Sequence, residues 1–193
     1  MSKELILASA SPRRAQILAQ VGLKFKIIMK PTDENIKADS PEKLVRTLAE
    51  KKARAVAEDL ENEIVLGADT VVVLDGQIFG KPHDRAEAFA MLSSLSGKMH
   101  EVITGFCLID AAGEYADIIK SVTTKVYFRI LSAEEINHYL DLGEYCDKAG
   151  GYAIQGIGAQ FVEKIEGCFY NVVGLPLTEV VCALAKRDVS IYD

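Results

Sequence analysis

The start of the chain changes from a strand pattern to a helix pattern within a few residues, and this alternation restricts the fold more than any other feature. Residues 4–8, ELILA, form a short apolar run typical of a buried strand. The following segment, SPRRAQILAQVG, is typical of a helix, with Ser11 as N-cap, Pro12 in the first turn and Gly22 just past the end. A strand followed so closely by a helix favours an α/β fold.

The strongest helix pattern lies between residues 40 and 60, SPEKLVRTLAEKKARAVAEDL. Ser40 is placed to cap this helix and Pro41 to begin it. Proline suits the first helical position because the N–H group that it lacks would have no partner within the helix there. The predicted apolar stripe of the helix includes Leu44, Leu48, Ala55 and Leu60.

Long hairpins occur among these strand–helix alternations. Residues 64–80, IVLGADTVVVLDGQIFG, are typical of a buried strand that continues into a hairpin through Asp75 and Gly76. The β-rich segments HEVITGFCLID and SVTTKVYFRIL have similar lengths and are joined through Gly113, which predicts an antiparallel pair. We therefore predict a single α/β domain over residues 1–193 with a mixed β-sheet.

Composition disfavours several functional classes. The 193 residues carry a formal charge of −6 and show no interleaving of basic and aromatic residues, which argues against nucleic-acid binding. The four cysteines include no C-x-x-C pair, so neither a zinc site nor a dense disulfide framework is indicated. The N-terminal apolar run is too short for a signal peptide or a membrane span. We therefore expect a cytoplasmic protein that binds neither nucleic acid nor membrane.

Arg13 and Arg14 fall in the first turn of the predicted N-terminal helix, where the helix dipole disfavours cations by roughly 0.3–1 kcal/mol each. A bound anion would compensate, because the same turn offers backbone N–H groups and the hydroxyls of Ser9 and Ser11. The alternative is that both arginines are solvated or pair with carboxylates. The pattern indicates a phosphate site without requiring one.

An aspartate inside an apolar run marks a second candidate site, GADTVV at residues 67–72. Burial of a carboxylate is unfavourable unless it binds a cation or accepts hydrogen bonds, so Asp69 is either structural or functional. Lys81, in the segment GKP, stands between a glycine and a proline, a setting that can aim its ammonium group, although most turn lysines are simply solvated. Asp33 and Glu34 add carboxylates in a polar loop, where most acidic residues only face solvent.

A third candidate site is the glycine-rich segment DKAGGYAIQGIGAQF, residues 147–161, with a buried-looking Ile-Gln pair. Its glycines allow the backbone to pass close to a flat or crowded group, but turns explain them equally well. Gly156 and Gly158 lack the third glycine of a dinucleotide fingerprint, and the chain contains no P-loop motif. Gln155 offers both a donor and an acceptor to the edge of a base.

Five segments, taken together and in this order, resemble the Maf family of nucleoside-triphosphate pyrophosphatases: LASASPRR, GADTVV, GKP, DKAGGYAIQG and YNVVGLPL. The resemblance extends from Leu5 to about Leu184. It implies a fold related to the inosine-triphosphate pyrophosphatases, with a long mixed β-sheet flanked by helices in two lobes and a central cleft between them that holds the active site. It also implies a divalent metal cation, Mg or Mn, and a homodimer.

The resemblance further implies a reaction and the residues that perform it. The reaction is hydrolysis of a nucleoside triphosphate between the α- and β-phosphorus, which releases a nucleoside monophosphate and pyrophosphate. The resemblance makes Asp69 the catalytic base and, with Glu34, a metal ligand, although Asp33 could substitute for Glu34. The residues that it assigns to substrate binding are Ser9, Arg13, Arg14, Lys52, Thr70, Lys81 and Gln155.

The combination of Arg13, Thr70 and Gln155 resembles the branch of the family that acts on dTTP, UTP and modified pyrimidine relatives. The branch similar to those preferring 7-methyl-GTP has a tryptophan in SPWRR, and this chain contains no tryptophan. A glutamine amide can pair with O4 and N3–H of thymine or uracil, a pattern that cytosine reverses. Two alternatives stay open: a broader enzyme that destroys noncanonical nucleotides, and a nucleotide-sensing regulator of cell division and septum formation with incidental hydrolysis.

Overall fold

The computed structural model describes residues 3–187 and 189, and within them seven strands form one mixed sheet. The strands are β1 (Leu5–Ala8), β2 (Phe25–Ile27), β3 (Ile64–Leu74), β4 (Gln77–Phe79), β5 (Met99–Asp110), β6 (Ile118–Phe128) and β7 (Val162–Glu166). Their order is β2-β1-β3-β5-β6-β7, with β4 paired to β3. β1 is parallel to both β2 and β3. β4 is antiparallel to β3, and β7 is antiparallel to β6. The predicted mixed α/β architecture is confirmed.

Helices lie between most of these strands. They are α1 (Pro12–Gln20), α2 (Pro41–Ala57), α3 (Arg85–Leu95), α4 (Ala133–Asp141), α5 (Phe169–Val173) and α6 (Leu177–Leu184). Short 3₁₀ turns cover Ala149–Gly151, Ile157–Phe161 and Ala185–Arg187. No helix in the described part of the chain is both long and apolar enough to cross a membrane.

The chain divides into two compact units, and each is assembled from separate segments. The first unit contains Met1–Asp69, Thr104–Val122 and Gly174–Asp193, and the second contains Thr70–Ile103 and Thr123–Val173. β3, β5 and β6 have residues in both units, so the division falls inside strands rather than in a linker.

The local predictions for α1 and for the hairpins are confirmed. α1 follows Ser11 and begins at Pro12, and Gly22 beyond its end has a φ of +79°, which favours glycine. The turn between β3 and β4 has positive φ at both Asp75 and Gly76, as the tightest hairpins require. The Phe128 N–H group donates to the Lys98 carbonyl at 3.0 Å, so the end of β6 lies beside the start of β5, as in an antiparallel pair.

The predicted apolar stripe of α2 is confirmed at Leu48, and Leu60, beyond the end of the helix, is partly buried against the apolar core. Leu44 and Ala55 are only partly buried. The buried side chains of the helix are Val45, Leu48, Ala49, Ala53 and Val56. The buried face of the helix is therefore rotated about the helix axis relative to the prediction, and it includes the small residues Ala49 and Ala53.

Two glycines explain this rotation, because they let α2 lie very close to the sheet in the first unit. A Cβ atom at Gly67 of β3 would overlap the carbonyl oxygen of Ala49, and one at Gly105 of β5 would overlap the carbonyl of Val45. Only small side chains of the helix, such as Ala49 and Ala53, fit this short separation. Ala49, Ala53 and Val56 share one apolar cluster with residues of β1, β3 and β5.

We expect Gly67→Ala to lower the free energy of unfolding by about 2–3 kcal/mol, since the added methyl group overlaps helix backbone rather than a movable side chain. Urea unfolding followed by circular dichroism measures the loss. Gly80→Ala is the matched control, because a Cβ atom there meets nothing within 4 Å. Equal stabilities of the two variants would contradict the close packing of α2.

Candidate functional site

Arg14 is a buried residue in the first turn of α1 that joins several segments of the first unit. Its Nε donates to the Gly174 carbonyl at 2.8 Å, and its Nη1 donates to Ser9 Oγ and to the Ala68 carbonyl, both at 2.9 Å. Burial lowers the pKa of Arg14, an effect partly offset by the nearby carboxylate of Asp69. Arg14 thereby fixes the backbone immediately before Asp69.

The structure gives the two neighbouring arginines different surroundings. Arg14 is only 8% exposed and bonds to carbonyl groups, whereas Arg13 is partly exposed. Ser9 is buried directly after β1, and its hydroxyl also accepts the N–H of Ser11 at 3.3 Å. Arg14 is therefore not simply solvated, because its hydrogen bonds to Ser9 Oγ and to two carbonyl groups hold the predicted phosphate-binding turn together.

Lys52 of α2 joins two carboxylates that are far apart in the sequence. Its Nζ donates to Asp69 Oδ1 at 2.7 Å and lies 2.8 Å from Glu34 Oε1. The close approach of α2 to β3 at Gly67 makes this possible, because it brings the helix beside the strand that carries Asp69. The side chains of Lys52 and Asp69 are 18% and 15% exposed, so the pair is largely shielded but open to a ligand.

Glu34, rather than Asp33, is the loop acid that reaches this cluster. Asp33 Oδ1 accepts the N–H of Asn35 at 2.9 Å, which stabilises a local turn. The side chain of Glu34 extends to Lys52 and is 58% exposed. Glu34 is therefore the acid that contacts Lys52, whereas Asp33 Oδ1 contacts the backbone of its own loop.

The donor set of Glu34 and Asp69 fits a divalent cation that binds together with a phosphorylated ligand. Mg²⁺ is usually held by one or two carboxylates, with water and substrate phosphate as its other ligands. Among residues 3–187 and 189, no group of three or more His, Cys, Asp or Glu side chains forms a fuller metal site. A single ammonium group already lies against both carboxylates, so the site attracts cations.

The second unit contains Thr70, Lys81 and Gln155, and it places the loop of Lys81 against the glycine-rich segment. The Gly150 N–H group donates to the Gly80 carbonyl at 3.0 Å. Gly150 has a φ of +70°, and a Cβ atom there would press on the side chain of Val72. Thr70 is partly buried in β3 and Lys81 is exposed.

Gln155 is exposed, whereas its neighbour Ile154 is only 9% exposed. The expectation that both members of the Ile-Gln pair are buried is therefore wrong for Gln155. The two residues lie in a turn, where neighbouring side chains need not share one environment. An exposed amide is available to a ligand.

A buried aromatic cluster fixes Tyr152, at the start of the segment that carries Gln155. His100 Nε2 and Tyr152 Oη are 2.8 Å apart, and the rings of both residues pack edge to face with Phe128. His100 Nδ1 has no hydrogen-bond partner among the described residues. Burial lowers the pKa of His100 to about 4. Sequence reasoning missed this residue because a single histidine in a strand carries no motif.

We expect His100 to make the folded state less stable in mild acid. Between pH 6.5 and 4 the unfolded chain binds a proton at His100 that the folded chain does not, so the free energy of unfolding falls as the pH falls. The loss from this residue at pH 5, relative to pH 7.5, is about 2 kcal/mol. Urea unfolding at both pH values should show a smaller loss for His100→Gln than for the wild type.

His138→Gln is the control for this experiment, because His138 is an exposed residue of α4. Its pH dependence should match that of the wild type. Parallel pH profiles for His100→Gln and His138→Gln would contradict the assignment to His100.

Residues 4–187 match the family described as Maf-like protein. The dTTP/UTP pyrophosphatase of Syntrophomonas wolfei is 48% identical over 96% of this chain and 98% of that protein. The protein of the same name from Desulforamulus reducens is 46% identical over 98% of this chain and 99% of that protein. The one from Citrifermentans bemidjiense is 49% identical over 95% of this chain and 95% of that protein. The solved Ham1 protein of Staphylococcus aureus superposes with a TM-score of 0.49 and 14% identity over 65% of this chain and 72% of its own.

Proposed function

Because this chain belongs to the Maf family, we propose that it hydrolyses dTTP and UTP to nucleoside monophosphate and pyrophosphate. Relatives named for this activity align with it over nearly their full length. The structural observation that carries the proposal is the cluster of Glu34, Lys52 and Asp69, where two carboxylates share one ammonium group. Such a group of charges suits both a metal-bound triphosphate and the activation of water.

The proposed reaction is attack of water on the α-phosphorus. The bond between that phosphorus and the oxygen bridging to the β-phosphorus breaks, and pyrophosphate leaves with the bonding electrons. Asp69 accepts the proton of the attacking water. Its carboxylate is suited to this role because Lys52 orients one of its oxygens and the β3 backbone before it is held by Arg14.

We propose that Glu34 and Asp69 hold a divalent cation, Mg or Mn. When bound, the cation would neutralise phosphate charge and lower the pKa of the attacking water. The residues that we propose bind the phosphates are Ser9, Arg13, Arg14, Lys52 and Lys81. Arg14 contributes mainly by holding Ser9 and the end of the Asp69 strand in place, since its Nε and Nη1 already bond to protein oxygens.

We propose that Thr70 and Gln155 contact the base. The amide of Gln155 is exposed and can pair with O4 and N3–H of uracil or thymine. The chain is proposed to act as one Maf-like domain over residues 1–193, as a homodimer, in the cytoplasm. The four cysteines are free, which agrees with a reducing compartment.

The sequence leaves two other functions open, and the relatives support them to different degrees. A broader enzyme for noncanonical nucleotides shares this chemistry, and relative rates on modified and ordinary pyrimidine triphosphates separate it from a dTTP/UTP enzyme. A regulator of cell division gains no support from the relatives reported above, because their names describe an enzymatic activity.

The test is to incubate the purified protein with Mg²⁺ or Mn²⁺ and a panel of triphosphates, and to identify the products by chromatography. We expect monophosphate and pyrophosphate from dTTP and UTP, and no turnover after chelation with EDTA. Asp69→Asn should lower kcat by about a thousandfold, as loss of a general base does.

Asp59→Asn is the control for charge, because Asp59 is exposed beyond the end of α2 and pairs with Lys30 rather than with a residue of the candidate site. Its activity should equal that of the wild type. Release of diphosphate and phosphate instead would place cleavage between the β- and γ-phosphorus and overturn the proposed reaction.

We expect Gln155→Ala to reduce the preference for UTP over CTP by about tenfold, with a smaller effect on kcat for UTP. The amide that distinguishes O4 from the cytosine amino group is lost, while the phosphate-binding residues are unchanged. Steady-state kinetics on both nucleotides measures the ratio. Gln160→Ala, an exposed glutamine in the same glycine-rich segment, should leave the ratio unaltered.

A further inference from the structure

The segment that carries Gln155 has little regular structure, yet Glu144 holds it through two backbone hydrogen bonds. Glu144 follows α4 in the second unit and belongs to none of the motifs described above. Its Oε1 accepts the N–H of Ile157 and its Oε2 accepts the N–H of Gly158, both at 2.9 Å. One carboxylate therefore binds the N–H groups of two successive residues, which begin two positions after Gln155.

Gly156 makes room for this carboxylate. A Cβ atom at position 156 would overlap Glu144 Oε1, although the backbone there has an ordinary negative φ. A side chain at this position would therefore displace the Glu144 carboxylate from its present place. Gly156 and Glu144, which are twelve residues apart in the sequence, thus belong to the same contact.

Tyr139 holds the other side of Gln155. Its hydroxyl oxygen, in a fully buried side chain of α4, accepts the N–H of Ala153 at 3.3 Å. Burial raises the pKa of Tyr139, and the charge of Glu144 and a hydrogen bond to it raise it further. The phenol keeps its proton and can donate it to Glu144 while it accepts from Ala153. The backbone on both sides of Gln155 is thus attached to one small network.

We propose that Glu144 is a positioning residue for base selection, which rests on the proposed function. A glutamine amide that rotates by half a turn exchanges its donor and acceptor, and it then pairs with cytosine as well as it did with uracil. Selection against cytosine therefore requires that the amide be presented in one orientation. An exposed side chain on an irregular loop has that property only when its backbone is fixed, and Glu144 fixes it.

The test compares Glu144→Gln with the wild type in steady-state kinetics on UTP and CTP. The variant keeps the size of the side chain, but it has one acceptor oxygen in place of two and no charge. We expect the ratio of kcat/KM for UTP to that for CTP to fall by about tenfold, mainly through KM, with kcat for UTP nearly unchanged. Glu163→Gln, an exposed glutamate of β7, controls for the lost charge and should keep the wild-type ratio.

A double variant separates positioning from general loosening. If Glu144 acts through Gln155, then Glu144→Gln should produce no further fall in the ratio when Gln155 is already alanine. Additive losses in the double variant would overturn the proposal, because Glu144 would then affect the base by another route. Thermal unfolding of all variants, monitored by circular dichroism, identifies any that fail to fold. If Glu144→Gln is one of them, Glu144→Asp takes its place and should also lower the ratio, because the shorter chain cannot reach both N–H groups.

Equilibrium binding distinguishes failure of this proposal from failure of the proposed function. If the wild type does not hydrolyse either nucleotide but binds UTP in preference to CTP, and Glu144→Gln loses that preference, the hydrolytic function is wrong and the positioning role stands. If the wild type hydrolyses UTP and Glu144→Gln retains the full preference, the positioning role is wrong and the function stands. A wild type without any preference between UTP and CTP overturns the positioning role.

Discussion

The short separation between α2 and the sheet is the constraint on which the first unit depends. Gly67 and Gly105 remove the two side chains that would keep the helix away, and Ala49 and Ala53 complete the contact from the helix side. With the helix at this distance, the ammonium of Lys52 reaches Asp69. A packing feature of the core thereby sets the position of a charged group in the candidate site.

The two carboxylates of that site would repel a bare phosphate group that approaches them directly. Lys52 neutralises one of their two negative charges, and Arg14 lies close enough to both carboxylates to interact with them. A cation that arrives with the phosphates reverses the sign of the interaction between the carboxylates and the incoming group. The same carboxylates can then serve the ligand that they would otherwise repel, which is consistent with the proposed dependence on a divalent cation.

The parts of this protein that were predictable from sequence are those encoded locally. The start of α1 at Pro12 and the β3–β4 turn follow from a few adjacent residues, and both are confirmed. The stripe of α2 was predicted correctly at Leu48 but not at Leu44 or Ala55, because its orientation depends on glycines in two distant strands. The contact of His100 joins residues 52 positions apart and those of Glu144 join residues 13 and 14 positions apart, and no local pattern marks them. Arg13 and Arg14 are adjacent, and only the tertiary structure distinguishes their surroundings.

The discontinuous first unit also has a consequence for synthesis of the protein. Its segments come from the beginning, the middle and the end of the chain, and the bond from Arg14 to the Gly174 carbonyl joins residues 160 positions apart. On the ribosome, the nascent chain contains the Arg14 guanidinium, which the folded protein buries, before it contains the Gly174 carbonyl. The hydrogen bond between these two groups can form only after the later segment has emerged. Contacts of long range also slow folding, because the entropy of loop closure opposes them. The turn that carries Ser9 and both arginines is thus synthesised well before the segment that completes its hydrogen bonds.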